Sequence, residues 1–391
     1  MSLAVGVLER ILGDFGPPNG AATLVVVSGL HGNEPAGVLA SQRVAASLET
    51  RGAALKGRVV LLAGNLAALG AGVRYVDRDM NRAWTPGQIR ALRNGGAGGG
   101  AGGGGHGTGS VEDAEQRALL EVLDGLVRDA PGPVYLLDLH TTSGAGSAFS
   151  TVADTLRNRA LALTLPVPVV LGLEEMVEGT LHDYMGQLGV VTLAFEAGQH
   201  QEPAAVDRAE AALWIILAAT GVADTRGVPE AAGARALLAE GHRALPRAVE
   251  MRYRHPIAPG DRFRMRPGYL NFQPVRKGEP VARDLDGDVL APESARILMP
   301  LYQEKGSDGF FLVREFKPLW LRVSGAVRRA RLDRVVHWLP GIRRHPTEPH
   351  SLVVDRRVAR WYALQVLHLL GFRREVEVGT TLVVQRRAHD V

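Results

Sequence analysis

Residues 23–34 read TLVVVSGLHGNE. The apolar run 23–27 has the length of a buried strand, and His31-Gly32-Asn33-Glu34 follows where such a strand should end. Two residues separate His31 from Glu34, so in a turn or a first helical turn both side chains reach one point. Two further segments repeat this pattern of apolar run followed by chemistry. Asp138-Leu139-His140 stands behind the run 134–137, and Phe195-Glu196-Ala197-Gly198 behind 190–193. Together they supply two histidines and a carboxylate for a divalent ion, His31, Glu34 and His140, with Glu196 as a spare carboxylate. Structural zinc sites usually have four protein ligands, so three leave a position for water.

Working outward, the first 220 or so residues alternate apolar runs with helical patterns. Strands are expected at 23–27, 58–62, 134–139, 167–171 and 190–195, each Val/Leu-rich without strict alternation, as in strands buried on both faces. Helices are expected at 35–48, 111–128 and 204–219. This alternation predicts an α/β fold, a mostly parallel sheet with helices on both faces. Ligands of such sheets bind beyond the carboxyl ends of the strands, where all three site segments fall.

Three parts are expected along the chain. Residues 1–244 form the α/β domain, interrupted at 94–109 by a Gly-rich stretch that reads as a loop with an idle His106. An Ala-rich helical segment, 225–244, leads into a small all-β domain over 245–317, with short runs at 262–265, 280–282 and 297–301 between Gly-containing turns. Residues 318–391 form an α+β C-terminal extension rich in Arg, clearest at 351–355, 356–370 and 381–385. The net charge of +4 hides an asymmetry. From Leu321 onward there are fourteen Arg and six acids, a balance of +8, so the remainder carries −4. The basic character belongs to the extension and not to the site.

There are no cysteines. Thiolate ligands and disulfides are therefore excluded, and a metal must be held by His, Asp or Glu. No apolar run approaches a bilayer span, and the first fourteen residues lack the charged start and apolar core of a secretory signal. A cytoplasmic protein with no membrane contact is expected.

A metal that lowers the pKa of bound water still needs a base to take the proton, and Glu196 is the candidate. A second dense cluster, residues 74–82, reads RYVDRDMNR. Arg82 with Asn81 can grip a substrate carboxylate, since a guanidinium fork matches it bidentately. Arg74 can polarise a carbonyl, and Asp79 can bond a ligand histidine and fix its tautomer.

The order His31-x-x-Glu34, Arg74…Asp79-x-Asn81-Arg82, Asp138-Leu139-His140, Glu196-x-Gly198 resembles the succinylglutamate desuccinylase/aspartoacylase family, related to the zinc carboxypeptidases. The resemblance covers roughly residues 20–315, where Lys277-Gly278-Glu279-Pro280-Val281 and the Asp286-Gly287 turn are similar to the family's C-terminal β domain. It implies a zinc-carboxypeptidase-like fold and one zinc ion per subunit on His31, Glu34 and His140. It also implies Glu196 as general base and acid, Arg74 on the scissile carbonyl, Asn81 and Arg82 on the substrate carboxylate, and Asp79 behind a zinc histidine. Family members that act on dicarboxylic substrates tend to carry a further basic residue shortly before the base. Between Gly179 and Phe195 this chain has only His182, so His182 is the substrate-binding candidate there, and an aspartate or succinylglutamate substrate is put in doubt.

The leading expectation is thus a zinc-dependent deacylase of a small N-acyl amino acid. The rival is a zinc carboxypeptidase acting on peptides, which would use the same carboxylate clamp. A reading from another class is a binding protein whose extension presents Arg329, Arg331, Arg334, Arg343, Arg344, Arg356, Arg357 and Arg360 to nucleic acid or an acidic partner. No nucleic-acid motif is present, so nucleic acid is not expected as a partner. The sequence leaves a homo-oligomer open.

Overall fold

The computed structural model describes residues 8–51, 54–95, 109–258, 260–348, 350–355, 363–378 and 381–387, with Gly6, Arg357, Val358, His389 and Asp390; the side chains of Arg51, 363–365 and 374–378 are excepted. The Gly-rich loop expected at 94–109, with His106, lies almost wholly outside these residues, as do Arg356 and Arg360.

One large sheet organises the chain. Its strands run in the order Ile11–Phe15, Arg58–Ala63, Thr23–Ser28, Val134–Thr142, Val191–Gln199, Phe149–Val152, Val169–Leu171, Ala248–Pro256, Asp308–Glu315, Ala295–Leu298 and Pro274–Val275. Thr23–Ser28 pairs in parallel with Arg58–Ala63 and with Val134–Thr142, and the latter pairs in parallel with Val191–Gln199. The direction then reverses. Phe149–Val152 runs antiparallel to Val191–Gln199, and Val169–Leu171 and Ala248–Pro256 follow Phe149–Val152. The strand expected at 167–171 is therefore present but opposed to the other four. The reason is local, since only residues 143–148 join Val134–Thr142 to Phe149–Val152. So short a connection cannot carry the chain back along the sheet, which takes a dozen residues or more.

Alternation within each central strand shows why these runs are apolar throughout. Leu24, Val26, Val59 and Leu61 belong to one core, packed against helices Ala36–Arg51 and Pro203–Ala219. Their neighbours Val25, Val27, Val60 and Leu62 belong to another, packed against helix Val111–Asp129. Each such side chain contributes roughly 1.5–3 kcal/mol by leaving water. The helices begin where their sequence says they should. Ser110 and Asp113 form a reciprocal capping box ahead of Val111–Asp129, and Pro203 opens Pro203–Ala219.

The β-rich region contributes to this same sheet. Ala248–Pro256, Asp308–Glu315, Ala295–Leu298 and Pro274–Val275 extend it, while Arg264–Met265, Pro280–Asp284 and Gly287–Leu290 form a separate three-stranded sheet. The extension folds as helix Pro318–Arg329, helix Ala363–Leu369 and a sheet ordered Ile342–Arg344, Ser351–Asp355, Thr381–Arg386, Phe372–Val378. It has its own core of Ile342, Leu352, Val354, Leu367, Phe372, Leu382 and Val384 among others. Among the described residues no helix is long and apolar enough to cross a membrane.

Candidate active site

His31 and Glu34 occupy the bend between strand Thr23–Ser28 and helix Ala36–Arg51. Gly32 makes the bend possible, because a Cβ there would lie 2.0 Å from the backbone of Ala68. His140 and Glu196 come from the neighbouring parallel strands, where they are register partners. Both strands run further than the sequence suggested, to Thr142 and Gln199, so these two side chains project from within the sheet and not from beyond it.

The carboxylate of Glu34 is the hub. Its Oε1 lies 2.8 Å from His31 Nδ1 and its Oε2 lies 3.2 Å from His140 Nδ1. The backbone N–H of Thr141 donates to Oε2 at 2.9 Å. Each imidazole turns its other nitrogen to a second carboxylate. His31 Nε2 stands 3.1 Å from Asp79 Oδ1, and His140 Nε2 stands 3.0 Å from Asp138 Oδ2. Asp79 is fixed in turn by capping the short helix Met80–Arg82 and by the Arg74 guanidinium at 3.0 Å.

One ligand atom from each of His31, Glu34 and His140 lies within 4.8 Å of the others, and all three residues are buried. Ligand atoms bonded to one tetrahedral zinc ion are about 3.3 Å apart. The nitrogen–oxygen separations here are close to that, and a buried N, N, O set with both imidazoles oriented by carboxylates fits a divalent ion. In the metal-free protein the same closeness shows as proton affinity. Burial alone would raise the Glu34 carboxyl, but the two imidazoles outweigh it and hold it well below the usual carboxylate range. Burial would lower His140, yet Asp138 and Glu34 hold it well above the usual histidine range. A bound cation would take over this role from the protons.

Glu196 behaves in the opposite sense. Burial, reinforced by the charges of Glu34 and Asp138, pushes its carboxyl up to about 8 against the pull of His140 and Arg74. Among the described residues nothing hydrogen-bonds its buried Oε2. A cavity of about 130 Å³ opens beside it. Of the nine side chains singled out from the sequence, eight line this cavity, and Asp79 stands behind His31. Asn81 uses its Oδ1 to accept from the Leu181 N–H at 2.9 Å, and its amide nitrogen has no partner among the described residues. Arg82 bonds the Asn81 carbonyl at 3.0 Å and Asp308 at 3.2 Å. His182 is buried with Nδ1 2.7 Å from Glu174 Oε1; that carboxylate raises its proton affinity against the lowering effect of burial.

Further residues of the site had not been singled out; Asp138 stands behind His140, and His200, Glu174, Gln303 and Asp308 line the cavity. Asp138 sits two positions before His140, and period-two alternation puts both on one face of the strand, a signal the sequence did carry. His200 bonds Thr141 Oγ1 at 2.7 Å and Gln303 Oε1 at 3.1 Å. Glu174, Gln303 and Asp308 arrive from distant segments and have no local signature. Gly198 has φ +123, and a Cβ there would meet Arg208 Nη1 at 2.6 Å, so it makes room for that guanidinium.

Residues 21–220 match the succinylglutamate desuccinylase/aspartoacylase catalytic domain. The fold is similar to the crystal structure of a succinylglutamate desuccinylase/aspartoacylase from Rhodobacter sphaeroides, with a TM-score of 0.54 and 21% identity over 77% of this chain and 87% of that one. A succinylglutamate desuccinylase from Chromobacterium violaceum gives 0.52 and 19% identity, covering 77% and 87%. The product-bound ectoine utilization protein of Ruegeria pomeroyi gives 0.51 and 18%, covering 76% and 86%. At these identities the structural likeness is one of fold. The matched domain spans just over half of the sequence and includes every residue from His31 to Glu196. The chain belongs to the succinylglutamate desuccinylase/aspartoacylase family.

Proposed function

We propose that this protein is a zinc-dependent deacylase that hydrolyses the amide bond of a small N-acyl amino acid or a related small carboxylate. The observation that carries the reading is the convergence of His31, Glu34 and His140 beside a buried, proton-binding Glu196 in one small cavity. Mixed nitrogen and oxygen donors favour zinc. A zinc ion held by the three residues supplies a Lewis acid that polarises a carbonyl and makes water a nucleophile near neutral pH.

The protein's own groups do the rest. Glu196 takes the proton from the attacking water and delivers it to the amide nitrogen, which leaves as an amine while the acyl carbon gains the hydroxyl. Its raised proton affinity suits both halves of that transfer. Arg74 stands at the cavity between Glu34, at 3.4 Å, and Asp79, and its charge stabilises the oxyanion. The amide nitrogen of Asn81 and the guanidinium of Arg82 receive the substrate carboxylate. Asp308 already holds Arg82, so a substrate carboxylate has to share that cation or displace the acid.

Two features favour a small substrate over a peptide. The cavity is about 130 Å³. The segment 299–308 also crosses it, tied down by Asn33 Nδ2 to Gln303 at 2.9 Å and by Lys305 to the Tyr75 carbonyl at 2.9 Å. A carboxypeptidase needs an open groove at that place. Both cavity arginines are paired with acids, and Glu174 stands on the wall, which disfavours a second carboxylate on the substrate. A screen of the zinc-loaded protein across N-acetyl, N-succinyl and longer N-acyl amino acids and short peptides tests the reading. Turnover is expected to be highest for N-acyl amino acids with one carboxylate. Turnover confined to peptides would replace the deacylase by the carboxypeptidase.

A further inference from the structure

The Arg-rich extension docks on the back of the substrate-pocket wall. That wall consists of two short helices, Leu173–Met176 and Leu181–Gln187. Consecutive residues on them face two different cavities. Glu174 and His182 line the active-site cavity. Glu175 and Asp183 line a second cavity of about 410 Å³, whose other side is built by Arg373, Arg387 and neighbours from the extension. Arg387 touches both faces of the wall. Its guanidinium lies 2.5 Å from Asp183 Oδ1 and 3.8 Å from Glu174 Oε2. The other oxygen of Glu174 lies 2.7 Å from His182 Nδ1, and both contacts of Glu174 are ion pairs by distance without hydrogen-bond geometry. Among the described residues, no protein group bonds His182 Nε2.

The extension that carries Arg387 is joined to the body by a buried ionic seam. Arg328 is fully buried and bonds the Asp154 carbonyl at 2.9 Å, the Asp154 carboxylate at 3.1 Å and Asp390 at 3.1 Å. The Asp154 carboxylate also meets Arg159 and Arg373. The Leu156 N–H donates to the Asp390 carbonyl at 2.8 Å. Buried charges of this kind fix a register, because any other docking leaves one of them unpaired.

We propose that the C-terminal extension completes the substrate pocket: Arg387 is a positioning residue that anchors Glu174, and Glu174 orients His182 so that Nε2 meets the substrate. The inference rests on the deacylase reading above and assigns to the extension the step of fixing one pocket wall. It predicts an effect on substrate affinity without an effect on the metal or the proton transfer, since Arg387 touches neither Glu196 nor the three candidate ligands.

The test is steady-state kinetics of the full-length, zinc-loaded enzyme on its best N-acyl amino acid. Arg387→Ala is expected to raise KM by about five- to tenfold with kcat within about twofold of the parent, the signature of lost ground-state binding. Arg387→Lys, which keeps the charge, restores KM, and Arg343→Ala, which removes an exposed extension charge, leaves it unchanged. In a Glu174→Gln background Arg387→Ala adds little further, because both act through one group. A folded Arg387→Ala enzyme with the parent's KM overturns the proposal, and so does a full multiplicative effect in the Glu174→Gln background. Should Arg387→Ala not fold, Arg387→Gln enters the same cycle under the same criteria. Absence of turnover by the parent sinks the deacylase reading and this inference with it; turnover by the parent with an unaltered variant KM sinks the inference alone.

Discussion

Glu34 organises the candidate site. Both its oxygens face an imidazole nitrogen, and each imidazole leans on a further acid, Asp79 or Asp138. Carboxylates behind ligand histidines raise their basicity and fix their rings. Asp138→Asn is therefore expected to weaken zinc binding by about 10–100-fold, measured by competition with a chelating dye. Glu196→Gln should keep its metal and lose at least about two orders of magnitude in kcat; near-parental turnover by the purified variant would show that another group moves the proton. The raised Glu196 carboxyl also makes a prediction about stability. In the metal-free fold the group binds its proton more tightly than in the unfolded chain. Its stabilising contribution is complete below the usual glutamate range and is lost as pH rises through about 8. Metal-free Glu196→Gln should thus melt above the metal-free parent at alkaline pH and lose that advantage in acid. At this scale His31, Glu34, His140 and Glu196 were legible because each follows an apolar run. Glu174 and Asp308 were not, since nothing near either residue records that a distant cavity will enclose it.

Among the elements, the bend at Gly32 sets how closely the segment carrying His31 and Glu34 approaches helix Leu66–Ala71. Gly32→Ala places a methyl group against the Ala68 carbonyl. It is expected to cost about 1–3 kcal/mol of stability through forced backbone movement. Zinc affinity should fall with it, because His31 and Glu34 flank the moved residue. A thermal melt with a metal titration checks both, and an unchanged pair would mean that the bend is more tolerant than its packing implies. Most strands and long helices were readable from local pattern, as 23–27, 111–128 and 204–219 illustrate against Thr23–Ser28, Val111–Asp129 and Pro203–Ala219. Strand direction was not readable. The reversal follows from the short connection 143–148 into Phe149–Val152, a strand that the apolar pattern had not marked.

For the whole molecule, the excess of positive charge turned out to be divided. Arg329, Arg331, Arg334, Arg343, Arg344 and Arg357 lie on the surface, whereas Arg328 and Arg373 are buried against acids of the body. A count of charges along the sequence cannot separate the two groups, because burial is decided by docking. Arg328→Ala would leave Asp154 and Asp390 short of a partner in a dry environment. A loss of about 3–5 kcal/mol is expected, read from denaturant unfolding, against little change for Arg329→Ala one residue on. Equal, small effects would mean that the seam between extension and body is not a stabilising contact.

The proposed chemistry depends most on a metal held by His31, Glu34 and His140. Elemental analysis of the purified protein alongside Glu34→Gln and His140→Ala, coupled to deacylase turnover before and after chelation, tests it directly. One zinc ion per chain is expected in the parent and a large loss of metal in both variants, with turnover abolished by chelator and restored by zinc. Full activity in the chelated parent, or undiminished metal in the variants, would contradict it.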